Sequence, residues 1–314
     1  MVRRFDLTGA GGLRLAAWEF TEGPAARSGP PVPAARSGPE GPAAPAPEGR
    51  EGHCSPVLFL HGLMGRAAHW AGTARGLAAA GPPRRMFALD QRGHGHSDRP
   101  ADGLPGGGFS REVFVADAAA AIEQLDVGPV TLVGHSMGAL TGWQLAARRP
   151  DLVQALVIGD MRASALGAAS QRHWEEWFRT WPLPFPGPEA VRRFFGEQDL
   201  WLERPSPARG EYFAEMMTQG PEGWRPVFSR RQMLRARETW VHDAHWEELA
   251  QVRCPTLVVR GLDGELGRAE AQEMVRVLPR GEYAEIPDAG HYLHYDQPAA
   301  WQAVLLDFLE GARV

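Results

Sequence analysis

Residues 130–149 read VTLVGHSMGALTGWQLAARR, and this stretch decides the fold. The apolar run Val130–Val133 is typical of a buried strand, and residues 137–149 have the pattern of a helix. Between them stands a G-x-S-x-G motif, Gly134–Gly138. A strand that turns sharply into a helix at such a motif is the setting of a nucleophile elbow. We therefore predict that Ser136 is a nucleophile, held above the edge of a sheet.

The rest of the chain repeats this alternation of strand and helix. Short apolar runs bounded by glycine suggest buried parallel strands, and longer amphipathic stretches separate them. The strand candidates are residues 13–18, 56–60, 85–90, 130–133, 152–158, 256–259 and 283–286, and the helix candidates are residues 67–80, 111–125, 137–149, 268–278 and 299–310. The pattern predicts an α/β fold, with a mostly parallel sheet and helices on both of its faces.

Residues 161–249 interrupt the alternation. They are rich in tryptophan and show helical patterns but no strand runs. We interpret them as a helical cap inserted into a core formed by residues 1–160 and 250–314. A cap over the edge of a sheet encloses an apolar pocket. We expect Trp174 and Trp177 to face a substrate there, while most of the other tryptophans form the core of the cap.

One further segment, residues 21–55, consists mainly of Pro, Ala, Gly, Ser and Arg. It contains the sequence PAARSGP twice, at residues 24–30 and 33–39. Such a segment buries too little apolar area to offset the entropy of ordering it. We predict a disordered insertion between two strands.

The composition excludes several chemistries. All 33 basic residues are arginine, and without lysine no Schiff base and no P-loop is possible. The net charge of −5 argues against nucleic acid as a partner. No leader sequence and no membrane span are recognisable, so we expect a cytoplasmic protein. Cys54 and Cys254 are interpreted as unpaired thiols. No cluster of histidines and cysteines has metal-ligand spacing, and we predict neither a metal nor a cofactor.

A serine nucleophile needs a general base and donors for the oxyanion. His291 follows the last predicted strand and is our candidate for the base, with His294 as its nearest rival. The oxyanion requires backbone N–H groups. We expect one from Met137, directly after the serine, and one from Leu63, in the loop after the strand at residues 56–60.

Four motifs together resemble the α/β-hydrolase superfamily: His61-Gly62, the block DQRGHGHS at residues 90–97, the G-x-S-x-G motif and the sequence DAGH at residues 288–291. The resemblance covers nearly the whole chain apart from the insertion. It is closest to the small esterases, lactonases and thioesterases with a helical cap. It implies that the protein cleaves an apolar acyl substrate through an acyl-enzyme. His61, Arg92 and His94 then belong to the scaffold of their loops.

The same resemblance leaves two other kinds of function open. Similar caps serve C–C bond hydrolases and cofactor-free perhydrolases, and a hydrolase scaffold also serves as a ligand-binding receptor. A serine nucleophile argues against haloalkane dehalogenases and epoxide hydrolases, which use aspartate at that position. The lack of lysine makes a strongly anionic substrate less favoured, although arginine is able to replace lysine in binding one.

The acid that orients the histidine has three candidates. The superfamily usually places it three or four residues beyond a glycine after the penultimate strand. Here that segment contains Asp263 and Glu265, but the third position is Gly264. A second location follows the strand after the nucleophile helix, where Asp160 stands. We favour Asp160 and keep Asp263 and Glu265 as alternatives.

Overall fold

A computed structural model of the protein describes residues 2–20, 54–101 and 108–311. The strands within these residues are β1 Val2–Thr8, β2 Arg14–Phe20, β3 Val57–Leu60, β4 Met86–Asp90, β5 Val130–His135, β6 Val153–Gly159, β7 Met217–Gly220, β8 Gly223–Pro226, β9 Thr256–Gly261 and β10 Gly281–Ile286. Eight of these described strands form one sheet in the order β1-β2-β4-β3-β5-β6-β9-β10. β2 is antiparallel to β1 and β4, and the other neighbours are parallel.

Helices connect the parallel strands. The α-helices of the described residues are α1 Ala71–Ala80, α2 Arg111–Leu125, α3 Met137–Arg148, α4 Gly167–Thr180, α5 Pro188–Arg193, α6 Pro207–Glu215, α7 Arg230–Glu238, α8 Trp246–Ala250, α9 Arg268–Val277, α10 Leu293–Asp296 and α11 Pro298–Gly311. The predicted α/β fold, a mostly parallel sheet between helical layers, is confirmed.

Both faces of the sheet are covered, which explains why its central strands are apolar throughout. Because side chains alternate along a strand, Leu58 and Leu60 of β3 pack in one core, together with Trp143 of α3. Val57 and Phe59 point to the other face and pack in a second core with Trp70. These two cores fix the carboxyl ends of the strands, where the candidate site lies.

The chain between β6 and β9 forms helices α4 to α8, but it also contains a two-stranded hairpin, β7 and β8. Our expectation of no strands in residues 161–249 is therefore wrong. The hairpin strands are only four residues long and half-exposed, and residues such as Thr218 and Gln219 give no apolar run to recognise. Helix α8 also crosses the predicted boundary at residue 249, and its Leu249 packs in the core on the sheet.

Two further regions bear on the sequence predictions, the strand β1 and the predicted insertion. β1 was not predicted, because it is an edge strand whose residues Arg3, Arg4 and Asp6 interrupt the apolar pattern. The predicted insertion at residues 21–55 lies outside the described residues, apart from Cys54 and Ser55. In the described part of the chain, no helix combines the length and the apolar character that crossing a membrane requires.

Candidate active site

Ser136 occupies the turn between β5 and α3. Its backbone has a φ of 51° and a ψ of −126°, a conformation that is strained for a residue with a side chain. The glycines of the motif allow this close turn. A Cβ on Gly134 would lie 2.5 Å from Ala139 Cα, and a Cβ on Gly138 would lie 2.2 Å from the carbonyl oxygen of Leu60. The Ser136 hydroxyl makes no hydrogen bond with any described residue and lines an open cavity.

His291 lies in the loop after β10 and lines the same cavity. Its Nδ1 donates a hydrogen bond to Asp160 Oδ2 at 2.7 Å. Donation from Nδ1 leaves Nε2 as the nitrogen that is able to accept a proton. His135, the residue before Ser136, fixes the backbone of this loop, because its Nε2 donates to the carbonyl oxygen of His291 at 2.7 Å.

Asp160 follows β6 and is buried, with 1% of its surface exposed. Besides His291, two backbone N–H groups donate to its carboxylate, those of Glu265 at 2.9 Å and Leu266 at 3.3 Å. Gly264 leaves the space that this carboxylate fills, because a Cβ there would lie 2.4 Å from Asp160 Oδ1. The loop after β9 therefore holds the carboxylate of Asp160 and contributes none of its own to the histidine.

The two alternative acids have other surroundings. Asp263 is half-exposed and forms an ion pair with Arg204. The Glu265 side chain is exposed, and only its backbone N–H contacts Asp160. The rival base, His294, stacks on Trp70 with ring centroids 4.7 Å apart, and burial lowers its pKa to about 3.

The pKa of His291 is set by opposing effects. Burial alone would lower the pKa of this imidazole. The negative charge of Glu265, the hydrogen bond and charge of Asp160, and the charge of Asp296 outweigh burial and raise the pKa to about 9. The site therefore stabilises the imidazolium form, which develops when this histidine takes a proton from a serine.

Two unused backbone donors lie beside Ser136. In the loop after β3, Met64 donates its N–H to His94 Nε2 at 3.1 Å. The N–H groups of Leu63 and Met137 have no acceptor among the described residues. A Cβ on Gly62 would lie 3.0 Å from Ser136 Cβ, which shows how closely this loop approaches the serine. These two N–H groups are able to stabilise a negative oxygen that forms on a substrate at the serine.

The loops around the site are fixed by buried polar contacts. His61 Nε2 accepts a hydrogen bond from the backbone N–H of Gln91 at 3.0 Å. Arg92 forms a buried ion pair with Asp117 at 2.6 Å, and His94 holds the loop of Leu63 and Met64. These contacts support the scaffolding roles that we predicted for His61, Arg92 and His94.

The cavity above Ser136 has a volume of about 770 Å³. Trp174 and Trp177 line it, and so do two tryptophans that were not predicted to do so, Trp201 and Trp240. The composition of residues 161–249 pointed to all four, but which of them face the cavity depends on how the helices pack. Four arginines also line the cavity, Arg162, Arg204, Arg209 and Arg237, and no sequence motif indicated them. The cavity is thus more polar than our prediction of an apolar pocket.

A metal site is not recognisable in the described part of the chain. No group of three or more His, Cys, Asp or Glu residues there is arranged to hold a metal ion.

A mostly parallel sheet whose serine-bearing turn leads into a helix, with a cavity at the carboxyl ends of the strands, defines a protein of the α/β class. Its similarity to a known protein family shows which kind of α/β protein it is. The family model described as alpha/beta hydrolase fold matches residues 55–298, and the chain belongs to this family. The protein is therefore an α/β-hydrolase enzyme, as the sequence motifs predicted.

Curated relatives and solved structures agree with this family. The chain is 25% identical over 264 residues to the sn-1-specific diacylglycerol lipase ABHD11 of Danio rerio, covering 83% of this chain and 80% of the relative. It is 28% identical over 279 residues to Esterase Rv0045c of Mycobacterium tuberculosis, covering 83% of each chain. The solved structure of E-2-(acetamidomethylene)succinate hydrolase superposes with a TM-score of 0.75 at 22% identity, covering 99% and 100% of the two chains, and shows the same fold.

Proposed function

We propose that the protein is a serine hydrolase that cleaves a carboxylic ester, lactone or thioester through Ser136, His291 and Asp160. The observation that carries this proposal is the hydrogen bond of 2.7 Å between His291 Nδ1 and the buried Asp160 carboxylate, in the cavity that Ser136 also lines. A serine hydroxyl needs an oriented base of this kind to become a nucleophile at neutral pH.

The residues of the site act in turn in the proposed reaction. His291 Nε2 takes the proton of the Ser136 hydroxyl as its oxygen attacks the acyl carbon, and Asp160 stabilises the resulting imidazolium. The N–H groups of Leu63 and Met137 bind the oxyanion of the tetrahedral intermediate. His291 then protonates the leaving group. Water, deprotonated by the same imidazole, then attacks the acyl carbon, and the imidazolium returns the proton to the Ser136 oxygen as the bond to the acyl group breaks.

The proposed substrate is a small molecule that binds beneath the helices between β6 and β9. We interpret residues 161–249 as the cap over the site, with Trp174 and Trp177 packing against the acyl chain. Apolar area buried against such rings supplies binding energy without fixing a particular substrate. Two relatives of the chain, a diacylglycerol lipase and an esterase, support carboxylic ester hydrolysis.

A fluorophosphonate probe tests the proposal directly, because it reacts with activated serines. We expect stoichiometric labelling of the protein, located at Ser136 by mass spectrometry of the peptides. The matched variant Ser136→Ala should neither be labelled nor hydrolyse a short p-nitrophenyl ester, while it keeps the circular dichroism spectrum of the wild type. A folded wild-type protein that is neither labelled nor active on any ester, lactone or thioester would contradict the proposed function.

A further inference from the structure

The four arginines that line the cavity differ in their partners. Arg162 pairs with Glu270 at 2.9 Å, Arg209 with Asp199 at 2.6 Å, and Arg204 with Asp263. Arg237 forms no ion pair with any carboxylate of the described chain. One of the four cavity arginines therefore has a charge that no neighbouring carboxylate neutralises by contact.

Arg237 is also the most buried of these arginines, with 1% of its surface exposed. Its two terminal nitrogens donate to neutral oxygens, those of Gln171 at 2.7 Å and Ser170 at 2.5 Å. Its Nε has no hydrogen-bond partner within the described residues. A buried cation whose hydrogen-bond partners are all neutral is unfavourable, because these partners replace only part of the hydration that burial removes. The charges of Glu265 and Glu238 raise the pKa of Arg237, but neither carboxylate forms an ion pair with it.

Two tryptophans of the cavity hold the guanidinium in place. The Arg237 Cζ atom lies 4.9 Å from the ring centroid of Trp174 and 5.4 Å from that of Trp240. Burial lowers the pKa of Arg237 to about 10, so that the group stays charged at neutral pH. An anionic group that entered the cavity between these residues would meet an oriented positive charge that is already desolvated.

No carboxylate that lines the cavity forms an ion pair with Arg237, so an incoming anion would not displace one. Asp160 is bonded to His291, Asp263 to Arg204, and Asp296 accepts the backbone N–H of Gly290 at 3.0 Å. The remaining lining carboxylates, Glu203, Glu265 and Asp288, are exposed. Of these three, Glu265 acts on Arg237 through its charge, but it does not form an ion pair with the guanidinium.

We infer that the cavity takes an acyl substrate whose chain ends in a carboxylate, and that Arg237 is the counter-ion that selects this substrate. The inference rests on the proposed function, since it names the substrate class of the same site. It also replaces the expectation, drawn from the absence of lysine, that an anionic substrate is less favoured.

Pairs of p-nitrophenyl esters of equal chain length test the inference. We compare the hexanoate with the mono-ester of adipate, and the octanoate with the mono-ester of suberate. The readout is the ratio of kcat/KM for the half-ester to kcat/KM for the neutral ester. We expect a ratio above one for the wild type at one chain length or both. In Arg237→Gln this ratio should fall about tenfold or more, the usual effect of losing a hydrogen bond to a charged group.

Two further variants serve as controls. Arg237→Lys keeps the charge and should retain part of the preference. Arg204→Gln removes an exposed cavity arginine that already has a carboxylate partner, and should change the ratio by less than about twofold. An equal fall of the ratio in Arg204→Gln and Arg237→Gln would overturn the assignment to Arg237.

A binding measurement covers the case in which Arg237→Gln does not fold. Adipate should slow the fluorophosphonate labelling of wild-type Ser136, and hexane-1,6-diol, which is neutral and of equal length, should not. A wild-type ratio below one at both chain lengths, or the absence of protection by adipate, would overturn the inference. Hydrolysis of the neutral esters alone would leave the proposed function intact, whereas no labelling and no hydrolysis would contradict both.

Discussion

Asp160 is the residue on which the proposed chemistry depends most after Ser136 and His291. Its carboxylate is the only one among the described residues that forms a hydrogen bond with the imidazole of His291. We predict that Asp160→Asn lowers kcat about 10³- to 10⁴-fold, because an amide holds the wrong tautomer of the histidine and does not stabilise the imidazolium. The measurement is kcat for a short p-nitrophenyl ester at the pH optimum of each variant.

The alternative acids supply the controls for this prediction. Asp263→Asn removes a half-exposed ion pair and Glu265→Gln removes an exposed charge, so each should lower kcat less than about tenfold. A large loss in either variant, with full activity in Asp160→Asn, would assign the acid to the loop after β9.

The raised pKa of His291 predicts how activity depends on pH. General-base catalysis needs the neutral imidazole, so kcat/KM should rise with pH, and its ascending limb should lie well above 6.5, near the pKa of about 9. Glu265→Gln removes the largest of the charges that raise this pKa and should move the limb to lower pH. A limb at or below 6.5 in the wild type would show that these carboxylates do not act on the free enzyme as described.

The elements bring the site together at one edge of the sheet. Ser136 follows β5, Asp160 follows β6, His291 follows β10, and Leu63 lies after β3. These strands are parallel, so their carboxyl ends meet at the same edge. The loop after β9 provides the backbone N–H groups that hold Asp160.

The contact between the loops after β6 and β9 predicts that a carboxylate on either loop is able to serve the histidine. Position 264 and the Asp160 carboxylate compete for the same volume, since a Cβ on Gly264 would lie 2.4 Å from Asp160 Oδ1. Asp160→Gly should lose most activity, and the double variant Asp160→Gly/Gly264→Asp should recover roughly tenfold or more of it, as a carboxylate returns to the histidine. Glycine suits position 160, where φ is 43°.

The single variant Gly264→Asp is the control for this exchange. With Asp160 in place the new side chain has no room, and activity should fall. Equal activity of Asp160→Gly and the double variant would show that position 264 does not reach His291. The kinetics use the same p-nitrophenyl ester as above, with melting temperatures to exclude unfolded protein.

On the scale of the whole molecule, buried histidines contribute to a loss of stability in acid. Burial is the main effect that lowers the pKa of five of them in the folded state: His61, His69, His94, His135 and His294. Below about pH 6.5 these histidines bind protons in the unfolded chain but stay neutral in the folded protein. The free energy of unfolding therefore falls as the pH drops. Each of these histidines contributes a slope of up to about 1.4 kcal/mol per pH unit. His291 has the opposite effect, because its pKa is raised in the folded state. Its contribution to stability is present below pH 6.5 and is lost as the pH rises through about 9.

We therefore predict a melting temperature that drops steeply as the pH falls below about 6.5. His69 offers a matched test, because neither of its ring nitrogens has a hydrogen-bond partner in the described chain, and its ring packs 4.1 Å from that of Tyr212. His69→Phe keeps an aromatic ring at this position but removes the titratable nitrogens. It should therefore make the fall of the melting temperature in acid less steep. A melting temperature that is independent of pH between 4.5 and 6.5 would contradict the prediction.

The alternation of strands and helices was predictable from the sequence because it depends on local patterns. The apolar run of β5, the glycines around Ser136 and the helix that follows are adjacent in the chain, and helix α2 has the predicted bounds. β1 and the hairpin of β7 and β8 escaped prediction, because short or half-exposed strands bury too few apolar residues to leave a pattern.

The sequence by itself thus determined the α/β fold, the place of Ser136 on its turn and the candidacy of His291 after the last strand. Only the tertiary structure decided that the carboxylate bonded to His291 belongs to Asp160, a residue 131 positions away. It also decided that Arg237 is buried in the cavity and forms no ion pair with a described carboxylate. The physical reason is the range of the interactions. Backbone conformation and burial patterns are encoded by neighbours in the chain, whereas hydrogen bonds and charge pairs between loops exist only once distant strands lie side by side.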